Sequence, residues 1–326
     1  MEKVLVTGGA GYVGHVLVPK LLAEGYLVTV YDTLYFGCRL PNHRWLNVVR
    51  GDIRDTAKLT RCLKGQDAVL HLACISNDAS FELDEQLSQT INYDCFEPMV
   101  LAAKAAGVGR FVLASSSSVY GVSDAPDVTE DHPLVPLTLY SKFKAMCETV
   151  LWKHKDDDDF TCVVIRPATV CGYSPRMRLD LSVNILTNHA VNRGVITVFG
   201  GAQMRPNLHI DDMADAYLLM LDAPREKVHG ETFNIGFQNH SIADIAEIVK
   251  GVVGDNIEIV TTPTDDMRSY RVNSDKVRHV LDFMPRRTIE DAARDVARAF
   301  RNHLLPNSFE DDGYYNVRTM KKAGVK

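Results

Sequence analysis

The sequence of 326 residues lacks any Cys-X-X-Cys pair, and its seven cysteines are odd in number and irregularly spaced. This pattern argues against both a zinc site and a disulfide framework. We therefore expect most of the cysteines to be small buried residues in a reducing compartment. The seven are Cys38, Cys62, Cys74, Cys95, Cys147, Cys162 and Cys171.

Long apolar runs and basic tracts are also missing. No apolar segment is long enough to cross a bilayer, and the chain enters Val4-Leu5-Val6 without the apolar region of a signal peptide. We therefore expect a cytoplasmic protein with no membrane partner. The formal net charge is -6 and there is no basic stripe or tail, which argues against a nucleic-acid partner. The dense acidic run at residues 156–159 is interpreted as a solvated loop, because adjacent carboxylates do not converge on one ion.

Short apolar runs alternate with helical patterns through the first half of the chain. This alternation predicts β-α-β units, and the continuously apolar strands favour a parallel sheet covered on both faces. The predicted fold class is therefore α/β with a doubly wound parallel sheet. Strands are predicted at residues 3–7, 27–31, 46–50, 68–72, 110–114 and 161–166, and helices at 14–24, 57–63, 88–106 and 140–154.

The pattern changes after about residue 172, where turns, short strands and helices mix. We predict a larger domain over residues 1–172, which also receives about 205–236, and a smaller mixed α/β lobe over residues 173–326. The segment beyond Pro306 shows no clear pattern and is left unassigned. Within the second part, elements are predicted at residues 196–199, 205–210, 212–221, 231–235, 242–252 and 288–304.

A glycine-rich loop at residues 7–14 follows the first strand and opens the first helix. Glycines spaced three apart let the backbone turn tightly beside a pyrophosphate, and the helix N-terminus offers free N–H groups to the phosphates. This combination predicts a Rossmann-type sheet that binds a dinucleotide. The loop residues assigned to the cofactor are Gly8, Gly11, Tyr12, Val13 and Gly14.

Acidic residues end the second and third predicted strands. Asp32 lies where a carboxylate bonds the adenosine ribose hydroxyls and repels a 2′-phosphate, which favours NAD over NADP. An Asx-turn is the alternative role for Asp32. Asp52, followed by Ile53, ends the third strand on the same side of the sheet, where it contacts the adenine or caps the loop.

A serine run, a tyrosine and a lysine follow one another along the chain, and together these residue types suit proton abstraction from an alcohol. Tyr140 and Lys144 are four apart at the start of a helix, so they share a face. A run of serines at residues 115–118 follows an apolar strand and therefore lies at the carboxyl edge of the sheet, where such folds bind ligands. Because a free phenol has a pKa of about 10, a nearby cation is needed to stabilise the phenolate, and Lys144 provides one.

Taken together, the motifs resemble the extended short-chain dehydrogenase/reductase family, specifically its nucleotide-sugar epimerases and dehydratases, such as the UDP-galactose 4-epimerase-like enzymes. The matching stretches are TGGAGYVG, Asp32, GDI, HLA at residues 71–73, Asn92, SSSSVYG, YSKFK, RPATVCG and RPNLHIDD. The resemblance implies NAD as the cofactor and a nucleotide-diphosphate sugar as the substrate. It also implies that hydride passes to NAD from a sugar carbon, commonly C4.

The resemblance also implies roles for individual residues. Tyr140 is the acid/base, Lys144 holds the ribose and lowers the phenol pKa, and Ser116 bonds the substrate oxygen, a task that its neighbours Ser117 and Ser118 can share. On the cofactor side it places Leu72, Ala73, Asn92 and Pro167. On the substrate side it places Arg205 and Arg268 as clamps on the diphosphate, with Arg176 or Arg178 adding contacts to the sugar.

The chain departs from the family pattern at positions that would contact the sugar nucleotide. The 4,6-dehydratases carry Thr-Asp-Glu where this chain has serines at 116–118, so the acid and base for elimination are absent. The epimerases usually carry Asn where this chain has Thr169, and Thr262 is the nearest match to their second diphosphate arginine. An epimerase is the leading hypothesis. A sugar 4-dehydrogenase and a 4,6-dehydratase stay as alternatives, and a non-catalytic dinucleotide-binding protein is disfavoured.

A homodimer is also predicted. The helical segments at residues 92–106 and 140–154 carry apolar residues on more than one face. One face covers the sheet, which leaves another for a partner helix pair, as the resemblance also implies.

Overall fold

A seven-stranded parallel sheet forms the centre of the fold, in a computed structural model that describes residues 1–76, 85–155, 159–265 and 268–323. Residues 156–158 of the acidic run lie outside this description. The strands of the chain are β1 (Lys3–Thr7), β2 (Leu27–Asp32), β3 (Leu46–Arg50), β4 (Ala68–His71), β5 (Arg110–Ala114), β6 (Thr161–Pro167), β7 (Thr169–Cys171), β8 (Val195–Phe199), β9 (Met204–His209), β10 (Glu231–Ile235), β11 (Gln238–Ser241) and β12 (Glu258–Thr262).

The order of the large sheet is β10-β6-β5-β4-β1-β2-β3. The chain reverses its direction of travel across the sheet between β1 and β4, and Val6 of β1 pairs with Val30 on one side and Leu70 on the other. A reversal of this kind opens a crevice at the carboxyl ends of the strands, where ligands bind. The predicted α/β class, a Rossmann-type doubly wound parallel sheet with further smaller sheets, is confirmed.

Helices cover both faces of the large sheet. The described helices are α1 (Gly14–Ala23), α2 (Thr56–Leu63), α3 (Glu85–Gln89), α4 (Phe96–Ala105), α5 (Leu139–Trp152), α6 (Ser182–Arg193), α7 (Ile210–Asp222), α8 (Arg225–Val228), α9 (Ile242–Val253), α10 (Asp275–Leu281), α11 (Ile289–Arg301) and α12 (Asn316–Ala323). On one face α1 and α7 bury Leu17 and Tyr217 in the same cluster. On the other, α2, α4 and α5 bury Leu59, Phe96 and Leu151. Removing this apolar surface from water stabilises the layered fold.

The helix predicted at residues 88–106 is interrupted. A π-helical turn over Thr90–Asp94 separates α3 from α4. Turns of this kind accommodate one additional residue and occur frequently at functional sites. Here the turn carries Asn92, whose side chain is buried, so a continuous helix was the wrong prediction at this point.

The second part of the chain builds smaller sheets around its own core. Strands β11, β9 and β7 form one sheet and β12 and β8 another, and α6, α9 and α11 pack together over them. Within the segment 205–236, β10 pairs with β6 and α7 packs against α1. The strand β9 pairs instead with β7 and β11. The division at residue 172 stays a proposal.

The segment after Pro306 has structure that the sequence pattern did not reveal. A short 3-10 turn over Asp312–Tyr314 leads into α12. Tyr314 and Tyr315 are buried in a cluster with Tyr12 of the glycine-rich loop and Leu179. The C-terminal segment therefore packs beside the predicted cofactor loop. Among the described residues, no helix has the length and hydropathy to span a bilayer.

Candidate active site

A cavity of about 710 Å³ opens at the carboxyl edge of the large sheet, and residues from the second part of the chain also line it. Its volume is in the range of small-molecule and cofactor sites. Of the predicted site residues, all but Asn92 line it. Those lining it are Gly8, Gly11, Tyr12, Val13, Gly14, Asp32, Asp52, Ile53, Leu72, Ala73, Ser116, Ser117, Tyr140, Lys144, Pro167, Arg176, Arg205 and Arg268.

Glycine is required in the loop by the packing of the chain itself. Gly8 has a φ of +72°, and a Cβ there would lie 2.7 Å from the Ala73 backbone. A Cβ on Gly14 would lie 2.2 Å from the carbonyl oxygen of Gly9. Only glycine tolerates both the backbone conformation and the close approach. The loop can therefore pass tightly under a pyrophosphate, which fits a dinucleotide.

Tyr12 contributes its backbone to this loop and sends its side chain elsewhere. Its phenol donates a hydrogen bond to the Gly172 carbonyl (2.6 Å) and accepts one from Asn184 Nδ2 (3.0 Å). Burial raises the pKa of the Tyr12 phenol well above its ordinary value. The ring thus ties the loop to the smaller lobe, and we revise the proposed cofactor contact of Tyr12 to one made by its backbone.

Asp32 is fixed against the glycine-rich loop. Its Oδ2 accepts a hydrogen bond from the Ala10 N–H (3.0 Å), and its Oδ1 accepts one from the Leu34 N–H (2.8 Å). Burial raises the pKa of the Asp32 carboxyl, and these two N–H donors oppose the rise. The Leu34 bond is the Asx-turn left open as an alternative. A carboxylate has about four acceptor sites, so a ribose diol can still bind.

Asp52 makes a local ion pair. Its carboxylate accepts hydrogen bonds from the Arg54 backbone N–H (2.9 Å) and from Arg54 Nη2 (2.7 Å). Burial raises the pKa of the Asp52 carboxyl, but the bonds from Arg54 outweigh it and leave the pKa lowered. This geometry supports the loop-cap role, while Asp52 and Ile53 also line the cavity. Contact with adenine stays a proposal.

The four serines of the run all line the cavity but differ in their burial and in their partners. Ser115 donates to buried Glu148, and the Ser117 hydroxyl lies 3.2 Å from the Tyr270 hydroxyl. Ser116 and Ser118 are half-buried, with their hydroxyl oxygens 2.9 Å apart. Ser116 and Ser118 therefore face the cavity more openly than Ser117. Of the two serines expected to assist Ser116, Ser118 is therefore the more exposed, and the substrate contact stays a proposal.

Tyr140 and Lys144 lie on the first turns of α5, whose start is fixed by a capping box between Thr138 and Ser141. Lys144 Nζ is 5.9 Å from the centroid of the Tyr140 ring and donates a hydrogen bond to the Ala114 carbonyl (2.7 Å). Lys144 is buried. An ammonium group has three donors, so two remain for a ribose and for polarising the phenol.

Asn92 supports the cavity wall from behind. Its Oδ1 accepts from the Ile75 N–H (2.8 Å) and its Nδ2 donates to the Ile75 carbonyl (3.0 Å). Both polar atoms of the amide are thereby occupied by the loop that follows β4. The predicted direct contact with the cofactor is therefore revised to a positioning role, in which Asn92 holds Ile75 at the edge of the cavity.

The predicted arginines form two groups. Arg205 Nη1 donates to the backbone carbonyl of Arg268, so these two residues flank the same part of the cavity. Arg176 lies with its guanidinium carbon 3.8 Å from the centroid of the Phe36 ring, in the loop after β2. Arg176 is therefore near the Asp32 end of the cavity, whereas Arg205 and Arg268 come from the smaller lobe.

Several lining residues were not predicted. They come from loops, from α7 and from the C-terminal segment, and they are Tyr35, Phe36, Tyr217, Tyr270, Asn316 and Met320. Tyr35 and Phe36 lie three and four residues after Asp32, so their position in the sequence was a usable signal. Asn316 and Met320 lie far from every motif, and nothing local marks them as site residues.

Comparison with known proteins identifies relatives of the chain. The model of the NAD dependent epimerase/dehydratase family matches residues 4–236. A UDP-glucose 4-epimerase of Lactobacillus helveticus is 30% identical over 336 residues, which cover 95% of this chain and 99% of the relative. These matches cover both the cofactor loop and the Tyr140 helix.

Two solved structures are similar over nearly their whole length. A UDP-glucose 4-epimerase from Thermotoga maritima with UDP-glucose has a TM-score of 0.84 and 25% identity, covering 93% of this chain and 99% of that one. DesIV, a dTDP-glucose 4,6-dehydratase from Streptomyces venezuelae with NAD bound, has a TM-score of 0.83 and 25% identity, covering 92% and 97%. The chain therefore belongs to the NAD dependent epimerase/dehydratase family.

Proposed function

We propose that the protein is a nucleotide-sugar epimerase that transiently oxidises a sugar carbon, C4 of the ring. The observation that carries this proposal is the set of Ser116, Tyr140 and Lys144 at one cavity wall without an acidic pair beside them. Among the described residues lining the cavity, the carboxylates are those of Asp32, Asp52 and Asp180. Asp32 faces the glycine-rich loop, and the other two are paired with arginines.

Each member of the set has a distinct role. The Tyr140 phenolate accepts the proton of the sugar hydroxyl and later returns it, while the hydroxyl of Ser116 bonds the same sugar oxygen. Lys144 stabilises the phenolate and binds the ribose of the cofactor. NAD, when bound, supplies the oxidant for the sugar carbon and the reductant that restores it. Arg205 and Arg268 bind the diphosphate of the substrate.

A 4,6-dehydratase is the second candidate, favoured by the similarity to DesIV. Elimination of water needs an acid and a base beside the sugar C5 and C6 positions. The serines at 116–118 offer hydroxyl groups only. A 4-dehydrogenase, which releases the oxidised sugar, is the third candidate and requires net consumption of NAD.

Mass analysis of a panel of UDP-, GDP-, dTDP- and CDP-sugars incubated with the holoenzyme separates the three. We expect a product of unchanged mass and altered stereochemistry, because an epimerase returns every atom it removes. A product lighter by one water identifies a dehydratase. A product lighter by two hydrogens, with NADH accumulating, identifies a dehydrogenase. Either of the last two results contradicts the epimerase proposal.

NAD should bind more tightly than NADP. Asp32 accepts hydrogen bonds from the ribose hydroxyls and repels a 2′-phosphate. Hydrogen bonds to a charged group contribute about 1.5–3 kcal/mol each, so we expect a preference of roughly tenfold to hundredfold. Isothermal titration with NAD and with NADP measures the two affinities.

Asp32→Ala should reduce the preference for NAD, whereas the control Asp52→Ala should leave the ratio of the two affinities unchanged. Tighter binding of NADP by the wild type removes the assignment of Asp32.

We also propose that the protein is a homodimer, formed through the outer faces of α4 and α5. Leu101 of α4 is exposed in the single chain, and an apolar residue there is available to a second copy. Light scattering that finds only monomer at micromolar concentration would exclude this assembly.

A further inference from the structure

The segment that follows β7 lies directly on the glycine-rich loop. Ser174 is fully buried, and its hydroxyl donates a hydrogen bond to the Tyr12 carbonyl (2.8 Å). In the other direction, the Tyr12 phenol donates to the Gly172 carbonyl (2.6 Å). A backbone group of each segment is thus held by a side chain of the other. Arg176 follows two residues after Ser174, so its backbone is fixed beside the loop that leads into α1.

The guanidinium of Arg176 lines the cavity with two of its nitrogens unused. Its central carbon lies 3.8 Å from the centroid of the Phe36 ring, in the loop after β2. Its Nη2 donates to the side-chain oxygen of Asn316. Its Nε and Nη1 are buried and have no hydrogen-bond partner among the described residues. The protein therefore sets the position of the guanidinium and leaves N–H donors for a ligand.

The positive charge of Arg176 is poorly compensated by the protein. The side chain is 5% exposed as a residue, and within the described parts of the chain the ion pair of this segment joins Arg178 to Asp180 instead. A buried guanidinium is costly unless its charge is compensated. Burial and the like charge of Arg178 lower the pKa of Arg176 to about 9, and Asp180 and Asp32 offset this only in part. An anion therefore suits Arg176 better than a neutral sugar hydroxyl, because charge-assisted hydrogen bonds are the stronger ones.

Two anionic groups are expected in this cavity, the pyrophosphate of the cofactor and the diphosphate of the substrate. A Rossmann-type sheet binds the pyrophosphate at the N-terminus of its first helix. Burial chiefly lowers the pKa of His15 on the first turn of α1, and the nearby charge of Arg176 lowers it further. Arg205 and Arg268, by contrast, come from later segments that flank another part of the cavity. The position of Arg176 thus matches the cofactor pyrophosphate.

We propose that Arg176 binds the pyrophosphate of NAD, so that the glycine-rich loop and this arginine both donate to it. The loop offers backbone N–H groups only, and Arg176 adds a full positive charge from the second part of the chain. The contact expected between Arg176 and the sugar is replaced by this one. All three candidate reactions use NAD, so the role of Arg176 is independent of which of them the enzyme catalyses.

The test measures binding without turnover. The Kd of NADH is measured by fluorescence on cofactor-free protein, and NADH is then displaced by ADP-ribose, which carries the pyrophosphate, and by adenosine, which does not. Arg176→Gln should weaken ADP-ribose binding by roughly 10- to 100-fold, the usual effect of losing hydrogen bonds to a charged group. Adenosine binding should change by less than about threefold, as for independent groups.

Two further variants control for charge. Arg176→Lys keeps the positive charge and should recover part of the lost affinity for ADP-ribose. Arg39→Gln removes an exposed arginine whose Nη1 donates to the Pro175 carbonyl of the same segment (3.0 Å). It should change both affinities by less than about threefold. An equal loss of ADP-ribose and adenosine binding in Arg176→Gln assigns Arg176 a structural role and overturns the proposal, as does the absence of any loss.

A different phosphate is the main competing ligand. An arginine near the adenosine ribose can accept the 2′-phosphate of NADP, so a loss in Arg176→Gln that is confined to NADP overturns the proposal. A crystal structure of the wild-type protein with NAD tests the contact without any variant. An Arg176 nitrogen within about 3.2 Å of a pyrophosphate oxygen is the expected result, and a guanidinium that contacts neither phosphate overturns the assignment.

Discussion

Tyr140→Phe should lower turnover of the nucleotide sugar by a factor of about 10²–10⁴, the usual effect of losing a general base. The substitution removes the phenol oxygen and keeps the ring that packs at the start of α5. Affinity for NAD should change little, because the phenol contributes at most one hydrogen bond to the ribose, about 1 kcal/mol. Turnover of the identified sugar by the purified variant measures the first effect, and calorimetric titration with NAD measures the second.

Three further variants are compared with Tyr140→Phe, two of them at other residues of the site and one as a control. Lys144→Ala should reduce both turnover and NAD affinity, since Lys144 serves the phenol and the ribose. Ser116→Ala should slow turnover less, because Ser118 lies beside it with its hydroxyl 2.9 Å away. Tyr93→Phe is the matched control, because Tyr93 stacks on Phe143 and does not line the cavity. Thermal melts check folding. If Tyr140→Phe keeps more than about a tenth of the wild-type rate, less than a lost general base costs, the base has to be sought elsewhere in the cavity.

Glu148→Ala should destabilise the protein by about 3–5 kcal/mol, the range for breaking a buried ion pair. Glu148 and Arg166 are 3% and 6% exposed in their side chains, and Arg166 Nη2 lies 2.6 Å from Glu148 Oε2. Removing the carboxylate leaves the positive charge of the buried Arg166 guanidinium without its ion-pair partner. It also removes the acceptor of the Ser115 hydroxyl, next to Ser116. The free energy of unfolding in urea, measured without cofactor, gives the size of the effect.

The double variant Glu148→Met with Arg166→Met removes both charges. Comparing it with Glu148→Ala separates the stability lost by leaving one charge unpaired from the stability that the intact ion pair contributes. Replacing both charges with apolar side chains is often neutral or stabilising, so we expect most of the lost stability to return. Glu97→Ala is the control, since Glu97 and Lys153 form an exposed pair that contributes about 1 kcal/mol or less. A loss below about 1 kcal/mol for Glu148→Ala would show that water or another group already compensates Arg166.

The cofactor half of the cavity could be predicted from the sequence because its signals are local. Gly8, Gly14 and Asp32 lie within one β-α-β unit, and the geometry of that unit places them together wherever the fold occurs. The pattern of apolar strands likewise predicted the large sheet. The order of the strands then determined which loops meet at its carboxyl edge.

Several positions in and around the cavity depend on contacts that a linear pattern does not contain. The family resemblance placed Asn92 on the cofactor side, whereas here a π-helical turn carries the residue and its amide bonds Ile75. Ser117 begins a 3-10 turn and is buried with its hydroxyl against that of Tyr270, whereas Ser116 and Ser118 are half-buried. The position of Asn316 depends on contacts with Ser76 and Asp180, which are far away in the chain.

The interleaving of the chain limits how the protein can be divided. A fragment that ended at residue 172 would contain six of the seven strands of the large sheet but would lack β10, which pairs along β6. It would also lack α7, so Leu17 and Leu21 of α1 would lose part of their cover. The exposed strand edge and apolar helix face would favour association between fragments. The halves are therefore best treated as one folding unit, and swapping substrate lobes between relatives requires that α7 and β10 be kept with the large sheet.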